Sequence, residues 1–495
     1  MNQNGPMLNA YPDSIGSCLG ETVSLLEEEW KGAFKSFYLL PSLYHSDLDR
    51  GFCVVDYDIN EDLASRSDLR RMRDMGLDLK LDFILNHASA MSPQFQDLLA
   101  RGKESEYRDF FIDWNEFWRG CGSMTKEGYI QPEDKYIRDM FFRKPGLPIL
   151  MVQFPDQSMH PYWNTFYQKV WEENGKKRYQ GQMDLNIRSP KVWDFYEEVL
   201  DKIASYGASI LRLDAFAYAP KAVGKKNFLN EPETWDLLER VHDLAKRRGL
   251  RLLPEIHASY EEGIYRKIGE RGYMVYDFFL PGLVIDAIES GDGGRLAAWA
   301  EEVTERGISL VNMLGCHDGI PMLDLKGLLP ERRIQDLIDL MVKRGGYVKN
   351  LHGARNIYYQ VNTSYYSALG EDDRKMLMAR ALQIFMPGKP QVWYLDLLGG
   401  ANDYEAMKRA GEGGHKEINR SNLTVWEARR RMELPLVKEQ LRLLRLRNEH
   451  PAFEEGNHFK ARSEGHILTL SHERNGAKIC LRADLAQMDY RITEA

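Results

Sequence analysis

SILRLDAF (209–216) is a short apolar run that ends in an aspartate, and RLLPEIH (251–257) is a second one that ends in a glutamate. Between them, TWDLLERVHDLAKRRG (234–249) has the apolar spacing of an amphipathic helix. Buried strands that alternate with helices form a mostly parallel sheet covered by those helices. The stretch therefore predicts strand, helix and parallel strand in one α/β sheet.

The same alternation continues on both sides of this stretch. Further strand-like runs are FYLLP (37–41), LKLDFIL (79–85), YMVYDFFL (273–280), ISLVNML (308–314) and QVWYL (391–395). Helix-like stretches separate them, for example LASRSDLRRMRDMG (63–76) and KMLMARALQIFMPG (375–388). This many units at this spacing predict a (β/α)8 TIM barrel, and 495 residues leave room for accessory domains.

Two long stretches interrupt the barrel pattern, and the chain ends in short alternating strands. We predict barrel segments (domain A) at 1–87, 188–318 and 373–436, because the strand-helix rhythm is confined to them. Residues 88–187 are predicted to form an inserted domain B, residues 319–372 an inserted loop domain B′, and residues 437–495 a helix and a small β domain. Long insertions at strand ends of a barrel usually build the substrate pocket.

Three acids stand at the C-terminal ends of predicted strands, namely Asp214, Glu255 and Asp318. The active site of a TIM barrel lies at this face, so we expect the three acids to share one pocket. A nucleophile, a protonated acid and a third acid facing a cationic transition state are what glycosyl transfer requires. Each acid taken alone is equally well explained as a helix cap or a paired surface charge.

Composition excludes several classes of protein. The chain has 74 acidic and 66 basic residues and a net charge of −8, which argues against a general nucleic-acid or membrane-surface binder. The N-terminus lacks the features of a signal peptide, and no run approaches the length of a transmembrane helix. Five scattered cysteines predict neither a disulfide framework nor a zinc site. We expect a cytoplasmic protein, as a monomer or a homodimer.

Four short motifs give the sequence a family resemblance. DFILNH (82–87), RLDAF (212–216), PEIH (254–257) and CHDG (316–319) resemble the four conserved regions of the α-amylase clan, glycoside hydrolase family 13. Within that family the chain resembles the sucrose phosphorylase subfamily, which includes phosphorylases of sucrose 6F-phosphate. The residues that carry this narrower resemblance are DRGF (49–52), SPQFQDLL (92–99), RKPGLP (143–148), YYQVNTSYYSALG (358–370), MPGKPQVWY (386–394) and EINR (417–420).

The resemblance implies roles for individual residues. Asp214 corresponds to the nucleophile, Glu255 to the acid/base and Asp318 to the transition-state stabiliser. Arg212 beside Asp214 is expected to favour its ionised form, whereas apolar neighbours of Glu255 are expected to raise its pKa. The substrate-binding residues implied are Asp49, Phe52, His87, Arg212, His317, Tyr359, Gln360 and Arg420.

The acceptor side departs from the usual subfamily pattern. Arg143, Lys144 and Arg355 are the expected phosphate or acceptor cations. The first loop reads Phe-Arg-Lys-Pro-Gly where the subfamily usually has Arg-Pro-Arg-Pro-Gly, and the second reads Ile-Tyr-Tyr-Gln where it has Asp-Leu-Tyr-Gln. Arg143, Lys144 and Arg355 bring more positive charge than a neutral fructose needs, which favours an anionic leaving group such as fructose 6-phosphate. The alternative is that these cations bind only inorganic phosphate and that sucrose is the donor.

The sequence therefore predicts a retaining phosphorylase that transfers glucose from sucrose, or a sucrose-like donor, to phosphate. No cofactor is implied, and no metal is expected although Asn86 matches a calcium ligand of amylases. The alternatives are a glucosylglycerate or glucosylglycerol phosphorylase, an α-glucosidase or transglucosidase, and a non-catalytic amylase-like protein. The last of these usually lacks one of the three acids, and all three are present here.

Overall fold

Eight parallel strands form a nearly closed barrel. The computed structural model describes residues 4–140, 146–173, 175–350, 358–411 and 414–494, with backbone alone at residues 349, 350, 358 and 359. The barrel strands are β1 (Met7–Ala10), β2 (Ser36–Leu39), β3 (Asp78–Phe83), β4 (Ala208–Leu213), β5 (Arg251–Pro254), β6 (Val275–Asp277), β7 (Leu310–Met313) and β8 (Lys389–Trp393).

The strand order in the sheet is β5-β4-β3-β2-β1-β8-β7-β6, and every adjacent pair is parallel. Among the described residues no hydrogen-bonded ladder joins β5 to β6, which are the two ends of this order. The predicted (β/α)8 barrel is confirmed, with one seam that the backbone leaves unpaired.

The helices follow the strands and begin where the sequence supplies caps. Ser65 and Asp68 form a capping box before Arg66–Asp74, and Pro190 occupies the first turn of Pro190–Ser205. The helices of the described chain are Leu19–Glu27, Arg66–Asp74, Pro93–Arg101, Trp114–Phe117, Asp134–Ile137, Pro190–Ser205, Glu233–Lys246, Ile264–Glu270, Leu280–Ser290, Gly294–Glu305, Glu331–Lys343, Tyr365–Ala368, Asp373–Phe385, Tyr394–Leu397, Tyr404–Ala410, Val425–Met432 and Pro435–Glu449.

The long segment between β3 and β4 builds its own small sheets and a separate apolar cluster. Its antiparallel strands are His87–Ser89, Gly122–Met124, Ile130–Pro132, Ile149–Gln153, Met159–Trp163, Gln168–Glu173 and Lys176–Asp184. The cluster is formed by Ile112, Trp114, Trp118, Ile130, Ile149 and Trp163. A second insertion follows β7 and contains Glu331–Lys343 and a sheet of Ile320–Pro321, Tyr347–Asn350 and Tyr358–Asn362.

The C-terminal segment is a four-stranded antiparallel sheet. Its strands are His458–Glu464, Ile467–Arg474, Ala477–Asp484 and Asp489–Glu494. Alternate residues of the two central strands are buried, which gives the sheet one apolar face. Within the described ranges, no helix has both the length and the apolar character that crossing a membrane requires.

Three elements differ from the sequence prediction. The run at 391–395 is predicted as one strand, but the strand Lys389–Trp393 ends before the helix Tyr394–Leu397. The first strand, Met7–Ala10, was not predicted because four residues carry too little periodicity. The run at 273–280 was read as one strand, but the strand ends at Asp277. The Asp277 carboxylate accepts the backbone N–H groups of Phe279 and Leu280, and this contact begins the helix Leu280–Ser290.

Candidate active site

Three carboxylates lie at the C-terminal end of the barrel, as the sequence predicts. Asp214 follows β4, Glu255 follows β5 and Asp318 lies in the segment after β7. A pocket of about 360 Å³ opens here, and its lining includes Arg212, Glu255 and Asp318. The parallel strands bring their ends to the same face, and this explains why residues far apart in sequence meet.

Arg212 lies beneath the pocket with a side chain that is only 3% exposed. Its Nη1 donates to Asp82 Oδ1 at 2.6 Å and to Asp214 Oδ1 at 2.8 Å. Its Nη2 lies 2.6 Å from Glu255 Oε1. One guanidinium therefore faces three carboxylates, and the excess of negative charge favours retention of a proton in this group.

The pKa values of Asp214 and Glu255 shift in opposite directions. Burial raises the pKa of Asp214 well above its usual value, although Arg212 acts against this shift. Burial would also raise the pKa of Glu255, but Arg212 and His257 outweigh it and the net shift is downward. Both directions are the reverse of the sequence prediction. The reason is that burial and the negative charges of Glu255 and Asp82 outweigh Arg212 at Asp214, whereas Arg212 and His257 outweigh burial at Glu255.

A sharp turn follows Asp214. Ala215 has φ 49° and lies in the left-handed region, which non-glycine residues adopt at an energetic cost. The backbone N–H of Ala215 donates to Glu255 Oε2 at 3.2 Å. The turn thus gives Glu255 a second fixed contact in addition to Arg212.

Asp318 is held by two cations, Lys416 and Arg420, and by the ring of His317. Lys416 Nζ lies 2.5 Å and Arg420 Nη2 lies 3.8 Å from Asp318 Oδ1, and His317 Nε2 lies 3.1 Å from Oδ2. Burial alone would raise the pKa of Asp318, but these groups hold it well below its usual value. Gly319 follows with φ 104°, and a Cβ there would lie 2.5 Å from Val361 O. Only glycine fits this close approach.

The loop that carries Asp49 is strained in the same way. Asp49 and Arg50 both have φ 48°, and a Cβ on Gly51 would lie 2.1 Å from Ser42 N. Arg420 Nη1 lies 3.3 Å from Asp49 Oδ1, and Lys416 Nζ lies 3.6 Å from Oδ2. Asp49 therefore shares its cations with Asp318, which brings these two predicted site residues together.

His317 and Phe52 form an aromatic wall of the pocket, and His87 is joined to it. The rings of Phe52 and His317 stack with centroids 5.0 Å apart. His87 Nε2 lies 2.9 Å from Phe52 O, and Gln182 Nε2 approaches the same nitrogen at 3.1 Å. Burial lowers the pKa of both histidines. Nδ1 of His317 has no hydrogen-bond partner within the described part of the chain.

The second insertion contributes Gln360 to the site, and Gln360 Nε2 donates to the backbone oxygen of Asp318 at 2.7 Å. Asn362 Nδ2 donates to the same oxygen at 2.6 Å. The other predicted residues of this side lie outside the described residues: Arg143, Lys144, Arg355 and the side chain of Tyr359.

Glu255 has a further neighbour in His257, two residues along the chain. His257 Nε2 lies 3.8 Å from Glu255 Oε1, and Nδ1 lies 3.2 Å from Asp324 Oδ2. The His257 ring stacks on Phe278 with centroids 3.9 Å apart. Asp324 is 1% exposed and lies in a short helical turn, Leu323–Leu325, in the segment that follows β7.

Two groups of side chains offer atoms that could act as metal ligands. Cys316, His317 and Asp318 offer ligand atoms within 4.8 Å of one another in the described structure. Burial raises the pKa of the Cys316 thiol to about 12, and Asp318 is already paired with Lys416, so this donor set does not suit a metal. The second group is Asn86 with Asp184. The ammonium of Lys221 lies 3.5 Å from Asn86 Oδ1 and 2.7 Å from Asp184 Oδ2, so a positive charge is already present beside these two oxygens.

Sequence reasoning missed several residues of the site. Lys416 immediately precedes the EINR motif, Asp82 begins DFILNH and His257 ends PEIH. Each was therefore within or beside a quoted motif, and its contact with a carboxylate was not visible in sequence. Asp324 had no signal of its own, because its contact with His257 joins two strand-end loops that are distant in the chain.

Comparisons with known proteins agree with this geometry. The sequence profile of the α-amylase catalytic domain matches residues 33–279. The chain is 52% identical over 500 residues to a sucrose 6(F)-phosphate phosphorylase of Ilumatobacter coccineus, covering 99% of this chain and 95% of that protein. It is 32% identical to a sucrose phosphorylase of Streptococcus mutans, covering 99% of this chain and 98% of that one.

A solved structure shows the same likeness in three dimensions. The sucrose 6F-phosphate phosphorylase of Thermoanaerobacter thermosaccharolyticum superposes with a TM-score of 0.89 at 33% identity, covering 100% of this chain and 96% of that chain. Sequence identity of this extent over nearly the whole chain is sufficient to assign the family. The chain belongs to the α-amylase family, glycoside hydrolase family 13, and within it to the sucrose phosphorylase and sucrose 6F-phosphate phosphorylase group.

Proposed function

We propose that this enzyme is a retaining phosphorylase that transfers glucose from sucrose 6F-phosphate to inorganic phosphate. The products are α-D-glucose 1-phosphate and fructose 6-phosphate. The observation that carries the proposal is the high identity, over almost the full chain, with a protein named for that activity. The cluster of Asp214, Glu255 and Asp318 supports the mechanism.

In the first half-reaction, Asp214 attacks the anomeric carbon while Glu255 protonates the leaving oxygen. A retaining pair needs its carboxyls roughly 5–5.5 Å apart. Asp214 and Glu255 contact the two terminal nitrogens of one guanidinium, which supports a short separation. The product is a covalent glucosyl-enzyme and free fructose 6-phosphate.

The pKa directions of Asp214 and Glu255 in the substrate-free enzyme are the reverse of those this step needs. Burial and nearby charge favour the proton on Asp214, whereas the attack requires an ionised Asp214 and a protonated Glu255. We infer that donor binding shifts the shared proton to Glu255. The shift needs no external acid, because the two carboxyls belong to one coupled group.

Asp318 suits the part of transition-state stabiliser because it remains ionised. His317, Lys416 and Arg420 hold the pKa of Asp318 down against burial, so a negative charge is present when the sugar becomes cationic. We propose that Asp49, Phe52, His87, His317, Gln360 and Arg420 surround the glucosyl unit. Nδ1 of His317 has no hydrogen-bond partner among the described residues, which supports a hydrogen bond from this ring to a sugar hydroxyl.

In the second half-reaction, a phosphate oxygen attacks the anomeric carbon of the glucosyl-enzyme. The new C–O bond forms as the bond to Asp214 breaks, and its electron pair returns to the carboxylate. We propose Arg143, Lys144, Arg355 and Tyr359 as the acceptor side. More cations than a neutral fructose needs support an anionic leaving group.

The five cysteines, all within the described structure, form no disulfide, which supports a reducing cytoplasm as the location. We expect a monomer or a homodimer. Sucrose is the second candidate donor, because the chain is also related to a sucrose phosphorylase.

The test compares kcat/KM for sucrose 6F-phosphate, sucrose and glucosylglycerate, with and without phosphate. We expect sucrose 6F-phosphate to be favoured by about tenfold to more than a hundredfold, the worth of a charge-assisted contact to a phosphate group. Release of glucose 1-phosphate should require phosphate, and Arg143→Ala should reduce the preference. Asp214→Asn serves as the inactive control. A wild-type preference for sucrose that Arg143→Ala leaves unchanged would exclude the anionic leaving group.

A further inference from the structure

The imidazole of His257 lies between two acids at the edge of the pocket. Nδ1 faces Asp324 Oδ2 at 3.2 Å, and Nε2 faces Glu255 Oε1 at 3.8 Å. Stacking on Phe278 holds the ring plane, so each nitrogen keeps its own neighbour. Asp324 is buried, with a side chain that is 1% exposed, and its contact with His257 is therefore little screened by solvent.

The charged groups around His257 favour its cationic form. Burial alone would lower the pKa of His257, but Asp324, Glu255 and Asp318 outweigh burial and raise it. All three are acids, and Phe278, packed against the ring, is neutral. The imidazolium in turn lowers the pKa of Glu255, second only to Arg212 in doing so. The three acids therefore favour a positive charge on His257, next to the proposed acid/base group.

A positive charge on His257 affects the attack of water on the glucosyl-enzyme differently from the attack of phosphate. To attack the glucosyl-enzyme, a water molecule must give a proton to Glu255, and a Glu255 with a lowered pKa is a weaker base. A phosphate dianion attacks with an oxygen lone pair and needs no proton removed. The C–O bond to phosphate forms, the bond to Asp214 breaks and its electron pair returns to Asp214. The imidazolium also attracts the dianion.

We propose that Asp324 is a positioning residue which, through His257, directs the glucosyl-enzyme to phosphate rather than to water. The proposal rests on the proposed phosphorylase function. It adds that Asp324 and His257 suppress hydrolysis of the glucosyl-enzyme, in a fold that is shared with hydrolases. Asp324 itself acts only by holding Nδ1 of His257 and by its charge.

The decisive variant is Asp324→Asn, which keeps the shape and a hydrogen-bonding oxygen but removes the charge. The measurement is the ratio of glucose 1-phosphate to glucose formed from one donor at fixed phosphate. We expect the ratio to fall by about tenfold or more, the usual worth of one charge-assisted contact. The preference for phosphate should also be lost at a lower pH than in wild type, because His257 loses its proton more easily. The ionisation of phosphate affects the product ratio of both enzymes equally. Dividing the pH profile of the ratio in the variant by that in wild type therefore cancels its effect.

Two controls separate this role from loss of structure. Asp277→Asn changes an equally buried carboxylate that caps a helix at the end of β6, and it should leave the product ratio unchanged. Asp324→Glu, which restores the charge, should recover most of the ratio. Formation of the glucosyl-enzyme from α-glucosyl fluoride should be nearly the same in Asp324→Asn and wild type, since that step does not use phosphate.

The outcomes distinguish the two proposals. A wild-type enzyme that makes glucose 1-phosphate, together with an Asp324→Asn variant of unchanged ratio and pH profile, overturns the role of Asp324 alone. A wild-type enzyme that ignores phosphate with every donor overturns both proposals. If Asp324→Asn does not fold, NMR titration of His257 in the wild type decides: an imidazole that is neutral at pH 6 contradicts the proposal, and one that titrates above about 6.5 supports it.

Discussion

At the scale of single residues, the main feature of the site is one guanidinium group that contacts three carboxylates. Arg212 serves Asp82, Asp214 and Glu255 at once, with contacts of 2.6 Å, 2.8 Å and 2.6 Å. Asp214 and Glu255 are therefore coupled through Arg212, and we propose that the active form is the one in which these two carboxyls share a single proton. Asp82 influences this proton although it lies below the pocket.

Asp82→Asn tests this coupling through the pH profile of kcat/KM. The negative charge of Asp82 raises the pKa of Asp214, so its removal should make the shared proton easier to lose. We expect the alkaline limb to move to lower pH by on the order of one unit. Asp277→Asn, which removes a buried carboxylate outside this group, should leave the limb in place. A limb that moves to higher pH would refute the assignment of the shared proton.

Glu255→Gln and Asp318→Asn should differ in their dependence on the donor. Glu255→Gln cannot protonate a leaving group, so it should harm the natural donor far more than α-glucosyl fluoride, whose leaving group needs little protonation. Asp318→Asn should lower kcat by about 10²- to 10³-fold on both donors, because the stabilised charge is the same. Steady-state rates with the two donors provide the comparison. An equal loss in both donors for Glu255→Gln would remove Glu255 from the acid role.

These residues show where prediction from sequence succeeds and where it stops. The three acids could be predicted because each follows a strand, and strand ends of a barrel meet in space. The pKa directions could not be predicted, because they depend on which carboxyl lies nearest to Arg212 and on the additional charge of Asp82. Lys416 and Asp324 reach the site through loop conformations that hydrophobic periodicity does not describe.

At the scale of elements, a buried ion pair joins the first insertion to the barrel. Lys221, in the segment after β4, donates to Asp184 Oδ2 at 2.7 Å and to Tyr218 O at 2.7 Å. Asp184 also accepts the backbone N–H of Thr165 at 2.7 Å. Lys221 thus connects the strand Lys176–Asp184 to the segment that follows Asp214.

Lys221→Met should loosen this connection. Removing one partner of a buried pair leaves Asp184 uncompensated, which typically costs about 3–5 kcal/mol. We expect a clear fall in the midpoint of thermal unfolding by calorimetry. The double variant Lys221→Met, Asp184→Asn should lose less than the sum of the single losses. Lys225→Met is the matched control, because its contact with Glu233 is at the surface and should contribute about 0–1 kcal/mol. A Lys221→Met enzyme as stable as the control would show that the pair contributes nothing.

At the scale of the whole molecule, a buried histidine of the C-terminal sheet contacts a helix of the barrel. His472 is 2% exposed, and its Nε2 lies 2.8 Å from Phe385 O at the end of the helix Asp373–Phe385. Its Nδ1 lies 2.8 Å from Asn457 Nδ2. Burial lowers the pKa of His472 to about 3, so the folded protein holds it neutral.

This histidine predicts an acid-sensitive stability. Because the folded pKa lies below the unfolded value of about 6.5, its contribution is complete above that pH and declines as the pH falls toward 3. Between pH 7 and pH 5 the loss should be about 2 kcal/mol in the free energy of unfolding. His472→Gln should remove this part of the pH dependence, and the exposed His458→Gln should not. Denaturant unfolding at the two pH values gives the comparison. The prediction would be contradicted if the free energy of unfolding fell by the same amount between pH 7 and pH 5 in wild type and in His472→Gln.

The unpaired seam between β5 and β6 divides the barrel unevenly. Asp214 and Glu255 both belong to the five strands from β1 to β5, whereas Asp318 follows β7 in the remaining three. The two parts are hydrogen-bonded only through β1 and β8 in the described sheet. An opening of the barrel at this seam would leave all of these ladders intact. Asp214 and Glu255 would then move together, because the β4–β5 ladder joins the strands they follow, and their distance to Asp318 would change.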